Sequence, residues 1–216
     1  SDALFLSSSG GNSGTLNFDT SGCIINLGSL HGSSSQITGT GIINTKGLVT
    51  DMDLVFDGPQ SSIQTISWSS PTQNITLNLD LTGNSGSVGN LGVGYLSNGT
   101  LSIQNGAIIN SQSGSVIGYN GLSSTATVTG SSSAWNIRNN LVIGPGSLTI
   151  SQGALVTSQS GSINGTATGD SASVFVDGAG SAWNYNGQDG YQTGYFNIGN
   201  TNKGTLSITN GGAVND

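Results

Sequence analysis

The sequence predicts an all-β protein, a β-solenoid of the parallel β-helix kind. Three observations predict it: a long internal repeat, strands that are all very short, and turns built from Gly, Asn and Ser. Residues 100–136 read TLSIQNGAIINSQSGSVIGYNGLSSTATVTGSSSAWN and residues 147–184 read SLTISQGALVTSQSGSINGTATGDSASVFVDGAGSAWN. Both carry SQSGS, at 111–115 and 158–162, and both close on SAWN, at 133–136 and 181–184. A third copy opens at Phe196 and stops inside the repeat at Asp216. Trp135 and Trp183 lie 183 − 135 = 48 residues apart, a spacing that belongs to solenoids, propellers and arrays. Inside the repeat, the runs LSI, ATV, AWNI and LVIG alternate with turn residues, and nothing reads as a helix. A unit this poor in apolar residues buries a face only by stacking on its neighbours. At about 20–25 residues per coil, each repeat is two coils.

Composition agrees. Glycine contributes 36 of the 216 residues and proline three, which suits a chain that turns a corner every few residues. All ten acidic residues are Asp, and the basic ones are Lys46, Arg138 and Lys203. A net charge of −7 argues against nucleic acid and anionic membranes as partners. Three scattered cations make no patch for a heparin-like polyanion. Cys23 is the one cysteine, so no disulfide framework supports the fold. It shares strand parity with Ile25 and Leu27 and reads as a small buried hydrophobe. No apolar run is long enough to span a bilayer, so no membrane insertion is expected. The chain shows no signal peptide, and the incomplete third repeat favours a trimmed chain.

In order, residues 1–90 hold the strand-like runs GTLNF (14–18), CIINL (23–27), GIIN (41–44), DMDLVFD (51–57), SIQTISW (62–68) and NITLNLDL (74–81). Alternation at period two is legible in several. Ile75, Leu77, Leu79 and Leu81 share a face, as do Met52, Leu54 and Phe56, and Ile66 with Trp68. Residues 1–90 therefore read as the first coils of the same solenoid, with 1–20 as a candidate cap over its open end. Residues 91–216 carry the repeats, at 91–140, 141–195 and 196–216. Leu101 with Ile103, Leu148 with Ile150, and Leu206 with Ile208 take equivalent inward slots. Trp135 with Ile137, and Trp183 with Tyr185, should point inward as core rather than stand outward as a carbohydrate-stacking platform. Phe175, between Val174 and Val176, is left on the surface.

The elements Leu91–Gly94, Gly99–Ala107 and Gly130–Trp135 return as Leu141–Gly144, Ser147–Ala154 and Gly178–Trp183. This L-x-[VI]-G, G-T-L-x-I-x-N-G-[GA], G-x-G-S-x-W pattern resembles the passenger domains of bacterial autotransporters, type V secreted proteins, and especially their AIDA-like self-associating adhesins. The match is good over 91–216 and loose over 1–90. The resemblance implies a right-handed three-faced β-helix at the bacterial cell surface, anchored through a C-terminal membrane barrel that this chain does not contain. It also implies a role in cell aggregation and biofilm formation through contact with copies on neighbouring cells. The alternatives are adhesion to a host extracellular-matrix protein or glycan, and an inert spacer stalk.

For self-association, the candidate surface is a polar ladder with almost no charge. Its strand positions are Ser102, Gln104, Thr149, Ser151, Ser207 and Thr209, and its turn positions are Asn105, Gln152 and Asn210. Asp51, Asp53 and Asp57 form an acidic stripe opposite Met52, Leu54 and Phe56. It reads first as a solvated face and second as a weak Ca²⁺ site; no cofactor is expected. Gly83-Asn-Ser-Gly-Ser87 looks like a serine-protease nucleophile loop, and His31, Asp51 or Asp53, and Ser85 fall in triad order. The loop carries Asn84 where the motif needs Asp, the His-to-Ser span is short, and a triad is recognised by geometry rather than order. His31 reads as a surface turn residue, and no catalytic residue is assigned.

Overall fold

The computed structural model describes residues 2–6, 13–117, 123–165, 170–187, 194–200 and 202–216; the candidate cap at 1–20 falls partly outside them. The described residues form short β-strands and a single 3₁₀ turn, Ser34–Gln36. That turn is closed by a capping box between Ser33 and Gln36. The protein is all-β, as the sequence predicts, and its strands lie in four sheets.

The first sheet stacks eight strands in chain order, from Ala3–Phe5, Ser29–His31, Leu48–Thr50 and Leu91–Val93 to Gly114–Val116, Asn140–Ile143, Ser160–Ile163 and Phe196–Ile198. The second stacks Leu54–Asp57, Thr100–Gln104, Ser124–Thr129, Gly146–Ser151, Ser171–Asp177 and Lys203–Thr209. The third stacks Ile108–Ser111, Ala134–Ile137, Leu155–Ser158, Ala182–Tyr185 and Ala213–Asn215. Every pairing in these three sheets is parallel. From Leu91 onward the chain visits the first, second and third sheets in turn and then starts again. The arrangement is compatible with a solenoid. Stacked partners are as little as 48 − 30 = 18 residues apart, at Leu30 and Leu48.

Parity decides the core. In the second sheet, Leu54, Leu101, Ala126, Leu148 and Val174 stack in one buried column, and Phe56, Ile103, Val128, Ile150 and Val176 in another. In the third, Ile109, Trp135, Val156, Trp183 and Val214 stack in that order. Trp135 and Trp183 are both 0% exposed and sit two strands apart in this stack. Tyr185 takes the same parity as Trp183 and is half-buried, its ring 5.1 Å from Phe196. Phe175 is 43% exposed, as its parity requires.

Residues 16–80 build differently. The fourth sheet holds Leu16–Leu27, Ile37–Thr45 and Gln73–Asp80 in parallel, then Ile63–Ser70 antiparallel to the last. The runs at 62–68 and 74–81 are thus the arms of a hairpin closed at Pro71-Thr72. Ile75, Leu77, Leu79 and Leu81 face the core as predicted. Cys23 is half-buried against the core rather than enclosed by it, with its Sγ 3.2 Å from Thr20 Oγ1.

Candidate functional site

The shared motifs of the repeat serve packing. The Trp135 indole N–H donates to Ser111 Oγ at 3.0 Å, and that of Trp183 to Ser158 Oγ at 2.9 Å. Each acceptor is the first Ser of an SQSGS. The glycine of the same motif leaves room for the ring: a Cβ on Gly114 would stand 2.7 Å from Trp135 Cζ2, and one on Gly161 2.7 Å from Trp183 Cζ2. The Ser before each Ala-Trp is also buried. Ser133 Oγ accepts from Gly106 N and Ser181 Oγ from Gly153 N, each in the turn of the preceding coil.

The nine predicted self-association residues lie on the outer face of the second sheet and in the turn that leaves it. Stacking brings other residues between them. Ser102, Thr127, Thr149, Phe175 and Ser207 form one outward column. Ser151, Asp177 and Thr209 run in the next, into which Gln104 also points. Val55 pairs with Ser102 and Asp57 with Gln104, so two exposed apolar side chains, Val55 and Phe175, and two carboxylates, Asp57 and Asp177, break the uncharged ladder. Asn105, Gln152 and Asn210 have φ of 54°, 56° and 50°, the left-handed region that Asn tolerates better than most residues. Asn105 Nδ2 donates to Asp57 Oδ1 and Asn210 Nδ2 to Asp177 Oδ1, both at 2.7 Å. These two side chains bind adjacent coils of their own chain. The donors from Thr209 and Asn210 hold the Asp177 carboxyl below its ordinary range.

The acidic stripe is similarly engaged. Ser97 Oγ donates to Asp51 at 3.1 Å, Thr100 Oγ1 to Asp53 at 2.7 Å and Gln104 Nε2 to Asp57 at 3.3 Å. Among the described residues no three His, Cys or acidic side chains gather as metal ligands. His31 is not a surface turn residue. It lies in a strand of the first sheet, 9% exposed, 4.2 Å from the Phe5 ring and with Nε2 3.3 Å from Asn90 Nδ2. Burial pushes its pKa down to about 4. The hydrogen bonds of His31, Asp51 and Asp53 go to Asn90, Ser97 and Thr100, and Asn84 closes its own turn by accepting from Gly86 N. The structure does not bring the triad candidates together through any of these contacts.

A second set of outward residues escaped the sequence reading. On the third sheet, Asn136 Nδ2 donates to Asn110 Oδ1 at 3.1 Å, Thr157 Oγ1 to Asn136 Oδ1 at 3.3 Å and Asn215 Nδ2 to Asn184 Oδ1 at 2.8 Å. On the fourth, Asn44 Nδ2 donates to Asn26 Oδ1 at 2.8 Å, Asn78 Nδ2 to Asn44 Oδ1 at 2.9 Å and Thr65 Oγ1 to Asn78 Oδ1 at 3.1 Å. The signal was present as IIN at 24–26, 42–44 and 108–110, TLN at 76–78, AWN at 134–136 and 182–184, and AVN at 213–215. In each, the middle residue faces the core and the Asn faces out. Beside the third-sheet column lies an open depression of about 480 Å³, lined by Arg138, Asn139, Thr157, Gln159, Asn184 and Asn186 among others. Gln159 Nε2 is buried and without a hydrogen-bond partner.

No protein-family model matches the chain, and neither curated proteins nor solved structures match it. Among the described residues no helix is long and apolar enough to cross a membrane.

Proposed function

We infer that the chain is a right-handed, three-faced parallel β-helix from the passenger region of a bacterial surface adhesin of the autotransporter type. Its function is self-association, leading to cell aggregation and biofilm. One observation carries this reading. The outer face of the second sheet between Asp57 and Asp177, and one outward column each of the third and fourth sheets, are made largely of hydroxyl and amide side chains repeated strand after strand without charge. A single hydrogen bond to a partner nets only about 0.5–1.5 kcal/mol. A column of them presented at about 4.8 Å intervals multiplies that contact, and many chains on one cell multiply it again. Identical chains approach closely along such a face because it carries little like charge to repel.

The experiment is sedimentation of the purified chain over a range of concentrations, with aggregation of cells that display it. Ser102→Glu, Thr149→Glu and Ser207→Glu together place like charges along the second sheet and leave the left-handed turns intact. Weakened self-association with unchanged circular dichroism is the expected result. Full aggregation by that variant removes the second sheet as the surface, and a wild-type chain that stays monomeric at every concentration removes the reading.

The second reading is a glycan ligand. The depression at Arg138 favours it, because it gathers amides, a hydroxyl and a guanidinium at one concave site. Saturable binding on a glycan array, weakened by Arg138→Ala, would move that reading ahead.

A further inference from the structure

The hairpin leaves a sheet edge open. Ile63–Ser70 is the last strand of the fourth sheet and pairs on one side with Gln73–Asp80. Leu81 N donates to Ser62 O at 2.9 Å, so Ser62 and Leu81 form a hydrogen-bonded pair. Hydrogen-bonded and non-bonded pairs alternate along an antiparallel ladder. The backbone groups of Gln64, Ile66, Trp68 and Ser70 therefore turn inward to the partner strand. Those of Ile63, Thr65, Ser67 and Ser69 turn outward, and none of them bonds another described backbone group beyond the hairpin.

Folded proteins usually protect such an edge with charge, proline, a bulge or a covering segment. This strand has no charged residue, no proline and an unbroken register. The whole of 58–79 is free of charge. Ile63 is 62% exposed, and Thr65, Ser67 and Ser69 are exposed too. On the inner face, Ile66 is half-buried, and the Trp68 indole N–H is buried without a partner.

We propose that this edge pairs antiparallel with the same edge of a second copy, forming a continuous sheet across a twofold axis. Only the identity of the occupant rests on the self-association reading; the contact is separate from the polar columns. Symmetry and the hydrogen-bond phase select the register. An axis at Ile66 sets Thr65 opposite Ser67 of the other copy and Ile63 opposite its Ser69, which satisfies every outward backbone group of the strand. The same register places Gln64 opposite Trp68. Gln64 Nε2 donates to Val55 O at 2.6 Å within its own chain, so this side chain is already held in place where the two copies meet. The neutrality of 58–79 lets two chains of net charge −7 meet here without a like-charged contact.

The test uses the whole chain. Thr65→Lys with Ser67→Lys sets ammonium groups against each other across the axis, and both side chains point to solvent in the single chain. Sedimentation should show a concentration-dependent dimer in the wild type that this variant loses, any association left in it being the one that the Glu column variant weakens, with matching circular dichroism. The Glu variant of the second-sheet column should retain the dimer. In a Cys23→Ser background, an oxidised mixture of Thr65→Cys and Ser67→Cys chains should cross-link, and each chain alone should not. Hydrogen-bonded antiparallel partners are about 5.5 Å apart at Cα, within disulfide reach. A dimer that survives the Lys pair, or disulfides that form equally in the unmixed chains, overturns the edge contact and leaves the column-based reading standing. A wild-type chain that is monomeric throughout overturns both.

Discussion

Residues 16–80 and residues 91–216 cover the same kind of core in two ways, and their tryptophans show the difference. Trp135 and Trp183 sit in a strand stack where the coil before each supplies a serine acceptor and a glycine gap. Trp68 sits on the last strand of a hairpin, 8% exposed, and its N–H has no partner. Where the chain repeats itself, each coil is shaped by the coil before it. Where it does not, the hairpin supplies one more strand, and that strand ends in an open edge.

The largest expected effect tests the repeat side. Trp135→Ala should destabilise the protein by about 3–5 kcal/mol, read by urea denaturation. A cost under about 1 kcal/mol would mean that the stack tolerates a void there. The next belongs to the N-terminal side, because the chain's one histidine is His31. Its pKa is lowered to about 4 from 6.5. The folded state thus binds its proton less readily than the unfolded state does. Stability is full above about pH 6.5 and falls as pH drops toward 4, by up to about 3 kcal/mol. His31→Leu should flatten that slope, measured as Tm against pH, and an unchanged slope would assign acid sensitivity elsewhere.

Ser111→Ala strips the acceptor from a buried indole and should cost about 1–3 kcal/mol. Trp68→Phe removes a donor that had no acceptor, so it should cost less than Trp135→Phe. Equal costs would erase the contrast between the two regions. The smallest effect lies at their junction, where Asn105 of the first repeat binds Asp57. Asn105→Ala loses that bond and strains a left-handed residue, for about 1–2 kcal/mol. Asn105→Gly loses only the bond, so it should cost less.

Much of this was legible because period-two alternation is local. The inward tryptophans, the outward Phe175 and the Ile75–Leu81 face all follow from neighbours along one strand. Contacts between coils were harder to read. SQSGS and SAWN were visible as repeats, but their link is a hydrogen bond across 24 residues at Trp135 and Ser111. The asparagine ladders were missed because each Asn looks like a turn residue until its stacked partner is known. His31 in Leu-His-Gly-Ser resembled a turn for the same reason, since Phe5 and Asn90 are distant in sequence. The hairpin at Pro71-Thr72 was hidden because its two arms have the same alternation as two stacked coils.

The indole-on-serine stack also constrains how such a chain can lengthen or shorten by recombination. A coil bearing Trp needs beneath it a coil bearing the Ser and Gly of SQSGS, and the order in the third sheet is Ile109, Trp135, Val156, Trp183, Val214. Duplicating the Trp-bearing strand's coil alone would set indole on indole at about 4.8 Å and leave one N–H without its acceptor. Duplicating a pair preserves every contact. The unit that can be duplicated with every indole contact kept is therefore the pair, adding about 10 Å to the stack at a time.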